Sequence, residues 1–348
     1  FGLNHLRDRM LSVLNSSPEP SSIAKSVSKW DAFELEAAID HNKLCGGVVR
    51  TNTEWLNEKH GQTLAEKPVV EIIKIGKSEP EPVPSNGRPL TGLKVLDLTR
   101  ILAGPITART LAEHGAEVLM ISANDTPQVH AYVADTSHGK RSCFLNIREK
   151  QDSDQLIKLA RTADVFSQGY RPGAMEKLGF GVQELSAIRP GIIYVSINCY
   201  GFDGLFSNRA GWEQVAQIMT GLTTENSFCE PTHPPKLLPV AANDYITGYL
   251  GAYGVLVALA RRAKEGGSYH VRVSLCQTAM MIYRNGKIGG NSKVSELAFD
   301  EVDALTMETA THLGRLKHLA PILNLSETPP FWSQPTPKLG SDLPEWSH

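Results

Sequence analysis

The sequence predicts an α/β protein, because strand-like and helical segments alternate along most of its length. The apolar run LKVLDLTR at 93–100 has the character of a buried strand, and GPITARTLAEHGA at 104–116 has the apolar spacing of a helix. The strand EVLMIS at 117–122 completes a βαβ unit of about thirty residues, which is typical of parallel strands joined by a right-handed crossover. We therefore expect a mostly parallel, Rossmann-like sheet with flanking helices.

The same alternation continues toward the C-terminus. We predict further strands at SCFLNI (142–147), DVFSQGY (164–170), GIIYVSINCYG (191–201) and YHVRVSL (269–275). Helices are predicted at DSDQLIKLARTA (152–163), at GVQELSAIRP (181–190) and over the long apolar stretch that follows residue 244.

The domain organisation is predicted from one change in composition. Residues 76–89, GKSEPEPVPSNGRP, are dense in Pro, Gly, Ser and charge, which is typical of a linker. For residues 1–75, before this linker, we predict a helical segment with one β-type run at 69–75. Residues 90–285 form the large α/β domain. Residues 286–348 predict an extended segment that returns along another surface, so a smaller domain would be built from both termini.

Bulk composition argues against several classes of function. The formal net charge of -2 favours neither nucleic acid nor an anionic membrane surface as a partner. No apolar run reaches the roughly 18 residues that span a bilayer. The histidines have no HxxxH or HExxH spacing, so we expect no metal. Scattered cysteines are typical of a reducing compartment, and we expect a cytoplasmic protein, with peroxisomal or mitochondrial locations left open. They are Cys45, Cys143, Cys199, Cys229 and Cys276.

Three loops or helix starts carry candidate functional residues, each with a simpler alternative. Gly104 and Pro105 lie between a strand and a helix, where a ligand can approach, but they also suit a tight turn. Arg171 follows another strand and suits a phosphate or carboxylate, unless it is a solvated turn residue. Glu213 begins a helix, where the helix dipole favours an acid without any function.

A single acid, Asp244, stands at the start of the long apolar helix. One interpretation is helix capping, for which Asp is among the best residues, although Asn243 could fill that role instead. The other is a functional carboxylate at a strand-to-helix junction. The glycines Gly248, Gly251 and Gly254 lie nearly on one face of this helix and predict that another element packs closely against it.

Residues 89–285 resemble the family III CoA-transferases, relatives of formyl-CoA transferase, carnitine CoA-transferase and α-methylacyl-CoA racemase. Five segments in the family's order carry the resemblance. They are PLTGLKVLDLTRILAGPITARTLAEHGAEVL, GKRSCFLNI, ADVFSQGYRPGAMEKLGFGVQELSAIRPGIIYVSINCYG, GWEQVAQIMTG and NDYITGYLGAYGVLVALARRAKEGGSYHVRVSL.

The resemblance implies roles for particular residues. Asp244 falls on the catalytic aspartate, which would carry CoA between an acyl-CoA and a carboxylic acid through an aspartyl anhydride and an aspartyl-CoA thioester. Glu213 falls at the active-site mouth as a second catalytic candidate. The implied CoA-binding residues are Ile101, Leu102, Ala103 and Gly104 in one loop, and Tyr170, Arg171 and Lys177 in another. The family also implies an interlocked homodimer, with CoA as a substrate.

The chain departs from the family's pattern in four places. Trp212-Glu213 replaces the His-Asp pair of the racemases. After the second strand, the neutral Ser122-Ala123-Asn124 replaces the acidic or basic residue that the family often has there. KIGGNSKV at 287–294 is the nearest candidate for the family's glycine-rich loop. Material like the family's small domain precedes the large domain here. Two other hypotheses therefore stay open: an isomerase or other acid-base enzyme with a non-CoA substrate, and a non-catalytic scaffolding protein.

Overall fold

A seven-stranded sheet forms the centre of the computed structural model, which describes residues 3–84, 87–226, 234–286 and 297–347. In space the strand order is β1-β7-β6-β5-β2-β3-β4. The strands are β1 (Glu71–Gly76), β2 (Lys94–Asp97), β3 (Glu117–Ser122), β4 (Lys140–Phe144), β5 (Val165–Gln168), β6 (Ile193–Asn198) and β7 (Ser268–Ser274). Only β1 runs antiparallel within the described sheet, so the prediction of a mostly parallel sheet is confirmed.

Helices cover both faces of this sheet, and a short hairpin follows it. The helices are α1 (Asn4–Leu14), α2 (Pro20–Val27), α3 (Ala32–His41), α4 (Asn52–Asn57), α5 (Lys59–Ala65), α6 (Ala103–Glu113), α7 (His130–Thr136), α8 (Lys150–Ala160), α9 (Ala174–Lys177), α10 (Val182–Ile188), α11 (Glu213–Thr220), α12 (Leu222–Asn226), α13 (Ala242–Glu265), α14 (Leu275–Arg284) and α15 (Phe299–Ala304). The hairpin pairs β8 (Thr306–Thr311) with β9 (Gly314–Leu319).

The central strands read as continuous apolar runs because both of their faces are buried. In β6, Ile193 and Val195 join the core that α6 and α13 complete on one face. Tyr194, between them, joins the second core beneath α8 and α10. Within the described parts of the chain, no helix combines the length and apolar character that crossing a bilayer requires.

The strand order creates a crevice at one edge of the sheet. From β2 the chain moves outward to β3 and β4 on one side, and later to β5, β6 and β7 on the other. The loops that follow β2 and β5 therefore diverge at the carboxyl edge of the sheet. Open α/β sheets bind their ligands at such a switch point.

Part of the N-terminal segment packs into the core of the sheet. Trp55 and Leu64, from α4 and α5, belong to the same hydrophobic cluster as β6 and β7. The His60 Nε2 atom lies 2.7 Å from the carbonyl oxygen of Tyr200. The strand β1 is an edge strand of the sheet. The division of the chain at 76–89 stays a prediction. Residues on both sides of it, such as Leu64 and Leu90, belong to the same hydrophobic cluster.

The C-terminal segment differs from the extended conformation expected over 286–348. Residues 306–319 form the hairpin, since the Thr-rich strand β8 suits a pleated ribbon and Gly314 supplies the positive φ of 99° beside the turn. Beyond the hairpin the chain is extended and runs along the β4 edge. There the Asp342 N–H donates to the Ser142 carbonyl at 2.8 Å, which covers an otherwise open edge strand.

The helices α6 and α13 approach each other closely because α13 lacks side chains at the crossing. A Cβ atom on Gly248 would lie 2.5 Å from the Ile106 Cβ and 2.7 Å from the Ala103 carbonyl oxygen. The Thr107 hydroxyl donates to the Gly248 carbonyl at 2.9 Å across the same contact. This crossing places the first turn of α13 beside the first turn of α6.

We predict that Gly248→Val lowers the free energy of unfolding by about 1–3 kcal/mol, because an added side chain overpacks this crossing. Urea unfolding followed by circular dichroism measures the change. Ala260→Val, at an exposed position of the same helix, is the matched control and should change the stability little. Equal effects at the two positions would show that the close contact is unimportant.

Candidate active site

The carboxylate of Asp244 lies at the carboxyl edge of the sheet, in the first turn of α13, and is 7% exposed. Its side chain does not cap α13, whose N-cap residue, Ala241, also makes no side-chain capping bond. The capping interpretation is therefore wrong for both Asp244 and Asn243. The Asp244 carboxylate instead lies near the start of α6, where the backbone N–H of Ala103 lowers its pKa.

The start of α13 is capped by Glu213, the first residue of α11. Its Oε2 accepts the Asp244 N–H at 2.7 Å, and its Oε1 accepts the Asn243 N–H at 3.3 Å. Gln217, one turn along α11, donates to the same Oε1 at 2.6 Å. Glu213 is 3% exposed. The geometry thus supports a positioning role for Glu213, whereas the sequence suggested a catalytic one.

Burial raises the pKa of both carboxylates, and the charge of Glu213 raises that of Asp244 further. Burial, followed by the charge of Glu213, raises the pKa of Asp244 to about 7, against the lowering effect of the Ala103 N–H. Burial also raises the pKa of Glu213, and the bonds from Gln217, Asp244 and Asn243 oppose that rise. Asp244 is therefore a desolvated carboxylate that ionises near neutral pH, a property that clusters at functional sites.

The loop between β2 and α6 is held by a fully buried ion pair. Lys140 Nζ donates to Asp97 Oδ2 at 2.7 Å and to the Pro105 carbonyl at 2.9 Å. Within the loop, Ile101 has a φ of 75°, which is rare for a β-branched residue and is typical of constrained functional loops. A Cβ atom on Gly104 would lie 2.3 Å from the Thr99 Cβ, so that position requires glycine.

The predicted CoA-binding residues lie on the two loops of the crevice. Of the four between Ile101 and Gly104, Ala103 has a backbone N–H that lowers the pKa of Asp244. Across the crevice, the Tyr170 N–H donates to Gln168 Oε1 at 2.8 Å, at the end of β5. Arg171 Nη2 donates to the Lys43 carbonyl at 2.7 Å, which ties that loop to the N-terminal segment. Lys177 is exposed at the end of α9.

Two arginines that the sequence analysis did not single out lie near Tyr170. Burial raises the pKa of the Tyr170 hydroxyl, and the charges of Arg100 and Arg148 lower it. Arg100 follows β2 and Arg148 follows β4, so both lie at the carboxyl edge of the sheet. Their place at the end of one predicted strand (Arg100) and directly after another (Arg148) was the signal available in the sequence. They give the crevice positive charge suited to phosphate groups.

The glycine-rich loop candidate, the possibility of a metal site and the cysteines are the remaining features that the sequence raised. KIGGNSKV at 287–294 lies outside the described residues. Within the residues that are described, no cluster of three or more His, Cys, Asp or Glu side chains is placed to hold a metal ion. The four described cysteines are free: Cys45, Cys143, Cys199 and Cys276.

Comparison with known proteins identifies the family. The family model for CoA-transferase family III matches residues 90–288, which is more than half of the chain. The chain therefore belongs to the family III CoA-transferases, as its sequence motifs indicated. The match spans the sheet from β2 to β7 and includes both Asp244 and Glu213.

Individual relatives agree with this assignment. The acetyl-coenzyme A transferase nodX of Hypoxylon pulicicidum is 36% identical over 267 residues, covering 73% of this chain and 45% of that protein. The succinyl-CoA:glutarate CoA-transferase of Homo sapiens is 35% identical over 206 residues, covering 55% and 46%. The crystal structure of Rv3272 from Mycobacterium tuberculosis has a TM-score of 0.53 at 32% identity, covering 57% of this chain and 58% of that one. The chain thus spans about half the length of the relatives it matches.

We predict that Asp244→Asn stabilises the fold at pH 8 and that the gain disappears toward pH 4. The pKa of Asp244 is about 7 in the folded protein, above its ordinary value of 3.8. The folded state therefore binds more protons between these values, so the ionised carboxylate costs stability as the pH rises from about 4 to 7. The asparagine variant avoids this cost.

Urea unfolding midpoints at several pH values measure this difference. Asp300→Asn, at an exposed position of α15, controls for the loss of one charge. A stability gain from Asp244→Asn that is independent of pH would contradict the raised proton affinity.

Proposed function

We propose that this protein transfers coenzyme A from an acyl-CoA to a carboxylic acid, with Asp244 as the nucleophile. The observation that carries the proposal is the desolvated carboxylate of Asp244, held at the carboxyl edge of the sheet in a member of this family. A carboxylate with little hydration and a raised pKa is a stronger nucleophile than a solvated one. It still ionises near neutral pH, which attack on a thioester requires.

The first half of the reaction loads CoA onto the protein. The Asp244 carboxylate attacks the thioester carbonyl of the donor, so a carbon–oxygen bond forms, the carbon–sulfur bond breaks, and CoA leaves as the thiolate. The product is a mixed anhydride. The thiolate then attacks the aspartyl carbonyl, the donor acid leaves as its carboxylate, and an aspartyl-CoA thioester remains.

The second half repeats these steps in reverse with the acceptor. The acceptor carboxylate attacks the aspartyl thioester and releases the thiolate, which gives a second anhydride. The thiolate attacks the acceptor's carbonyl, and Asp244 leaves as the carboxylate. The Ala103 N–H, which lowers the pKa of this carboxyl group, would stabilise negative charge on its oxygen in each tetrahedral intermediate at the aspartyl carbon.

The crevice between the loops after β2 and β5 is the proposed CoA site. Residues 101–104 form one wall, and their rigid backbone suits a nucleotide lying against it. Tyr170 forms the other wall. Arg100 and Arg148 lie in electrostatic range of Tyr170 and offer positive charge to the phosphates. The exposed Lys177 adds a further cation beyond this wall, and Arg171 supports the loop through Lys43. The substrates we propose are an acyl-CoA and a carboxylic acid.

We predict that Asp244→Ala abolishes CoA transfer and leaves the circular dichroism spectrum unchanged. Protein mixed with an acyl-CoA and quenched in acid should carry a covalent CoA adduct on the peptide containing Asp244, measured by mass spectrometry. Asp300→Ala is the control and should form the adduct normally. An active Asp244→Ala variant would refute the mechanism. Activity on a thioester without any adduct would favour an isomerase, and failure to turn over any acyl-CoA would favour a scaffolding protein.

We also propose that the protein is a homodimer, as the family resemblance implies. Large apolar side chains on α15 and the hairpin are exposed to solvent in the single chain, which supports a contact surface there. Phe299 is 83% exposed and Leu313 is 62% exposed. We expect an interface above the roughly 2,000 Å² of ordinary complexes. Light scattering at sub-micromolar concentration should give twice the chain mass of 38.0 kDa. A folded monomer that persists on dilution would contradict this proposal.

A further inference from the structure

The side-chain amide of Gln217 connects three parts of the candidate site. Gln217 is 1% exposed and lies one turn after Glu213 on α11. Its Nε2 donates to Glu213 Oε1 at 2.6 Å, and its Oε1 accepts the backbone N–H of Leu238 at 2.8 Å. One contact needs a donor and the other an acceptor, so a neutral amide satisfies both while an ionised carboxylate or an alkyl chain cannot.

These two bonds act on the same end of α13. Leu238 lies in the extended segment that leads into α13, which begins at Ala242. Glu213 accepts the N–H groups of Asn243 and Asp244 in the first turn of that helix. Gln217 therefore holds both the chain that enters the helix and the carboxylate that caps it. A shift of either would move the Asp244 carboxylate relative to the Ala103 N–H.

The same amide favours the charged state of Glu213. An ionised carboxylate can accept from all three N–H donors, whereas a protonated one would turn its own O–H toward one of them. The bond from Gln217 is the leading influence that opposes the effect of burial on the pKa of Glu213. The charge of Glu213 in turn raises the pKa of Asp244. The Cys199 thiol after β6 also lies within range of the Asp244 charge, and burial keeps this thiol neutral by raising its pKa.

We propose that Gln217 is a positioning residue that controls the orientation and charge of the nucleophile through Glu213. The proposal rests on Asp244 being the nucleophile of the proposed CoA transfer. Gln217 itself does not contact the Asp244 side chain among the bonds described for it. Its effect on the reaction therefore passes through the capping carboxylate and the first turn of α13.

The test compares the pH dependence of kcat in three variants. Gln217→Met keeps the length of the side chain and removes both hydrogen bonds. It should lower kcat on the order of 10-fold to 100-fold, the loss typical of a misplaced reacting group, and should change KM less than twofold. The acid limb of kcat should move to lower pH, because a Glu213 that protonates more easily no longer raises the pKa of Asp244. Gln183→Met, at an exposed position of α10, is the matched control.

Gln217→Glu provides the second signature. When protonated, its O–H can donate to Glu213 while its carbonyl accepts from Leu238, so the variant should retain activity at the lower end of the active pH range. When ionised, it repels Glu213, so kcat should fall again as the pH rises. A descending alkaline limb absent from the wild type is therefore expected. This variant also decides the question if Gln217→Met fails to fold.

The outcomes separate this inference from the proposed function. If the wild-type protein shows neither CoA transfer nor an Asp244 adduct, the proposed function itself is refuted. Active wild-type protein with Gln217 variants whose pH profiles match the wild type would overturn the positioning role alone. That result would hold even if the variants unfolded at lower urea concentration, because a merely structural residue changes stability without moving the titration of kcat.

Discussion

The carboxylate of Glu213 accepts the N–H groups of Asn243 and Asp244 in the first turn of α13, and the geometry of the site depends on this contact. A helix start normally uses its own N-cap side chain for this purpose. Here the cap comes from α11, which leaves the Asp244 carboxylate unbound by its own helix and directed to the start of α6. The cost is a second buried negative charge beside the nucleophile, which raises the pKa of Asp244 to about 7.

The sheet brings the parts of this arrangement together. The reversal of strand order at β2 and β5 opens the crevice, the buried Lys140–Asp97 pair holds the loop after β2, and glycine at position 248 allows α13 to approach α6. Each feature contributes to the placement of one N–H group, that of Ala103, against one carboxylate. The reaction proposed for this family member uses that carboxylate in four successive acyl exchanges. A fixed position of the Asp244 side chain favours each exchange, because it holds the reacting atoms in a productive geometry.

The sequence predicted the sheet because its strands are short apolar runs between amphipathic helices, a local pattern that survives without tertiary information. It did not predict the cap of α13, because Glu213 and Asp244 are separated by 31 positions and Glu is also common in the first turn of any helix. Asp244 itself was ambiguous until the family motif around it was considered. The hairpin at 306–319 was missed because nearby prolines suggested an extended chain, and the packing of Trp55 against the sheet depends on long-range contacts that no local pattern encodes.

The central claim is that the Asp244 carboxylate forms and breaks bonds to both substrates. Transfer of ¹⁸O from a labelled acceptor acid tests it most directly, because the final anhydride leaves one acceptor oxygen on the aspartate. After a single turnover with fully labelled acceptor in ordinary water, the peptide containing Asp244 should be about 2 Da heavier. Released donor acid should carry that label after the next turnover. CoA transfer at an enzymatic rate, with no label reaching Asp244 or the donor acid, would contradict the account.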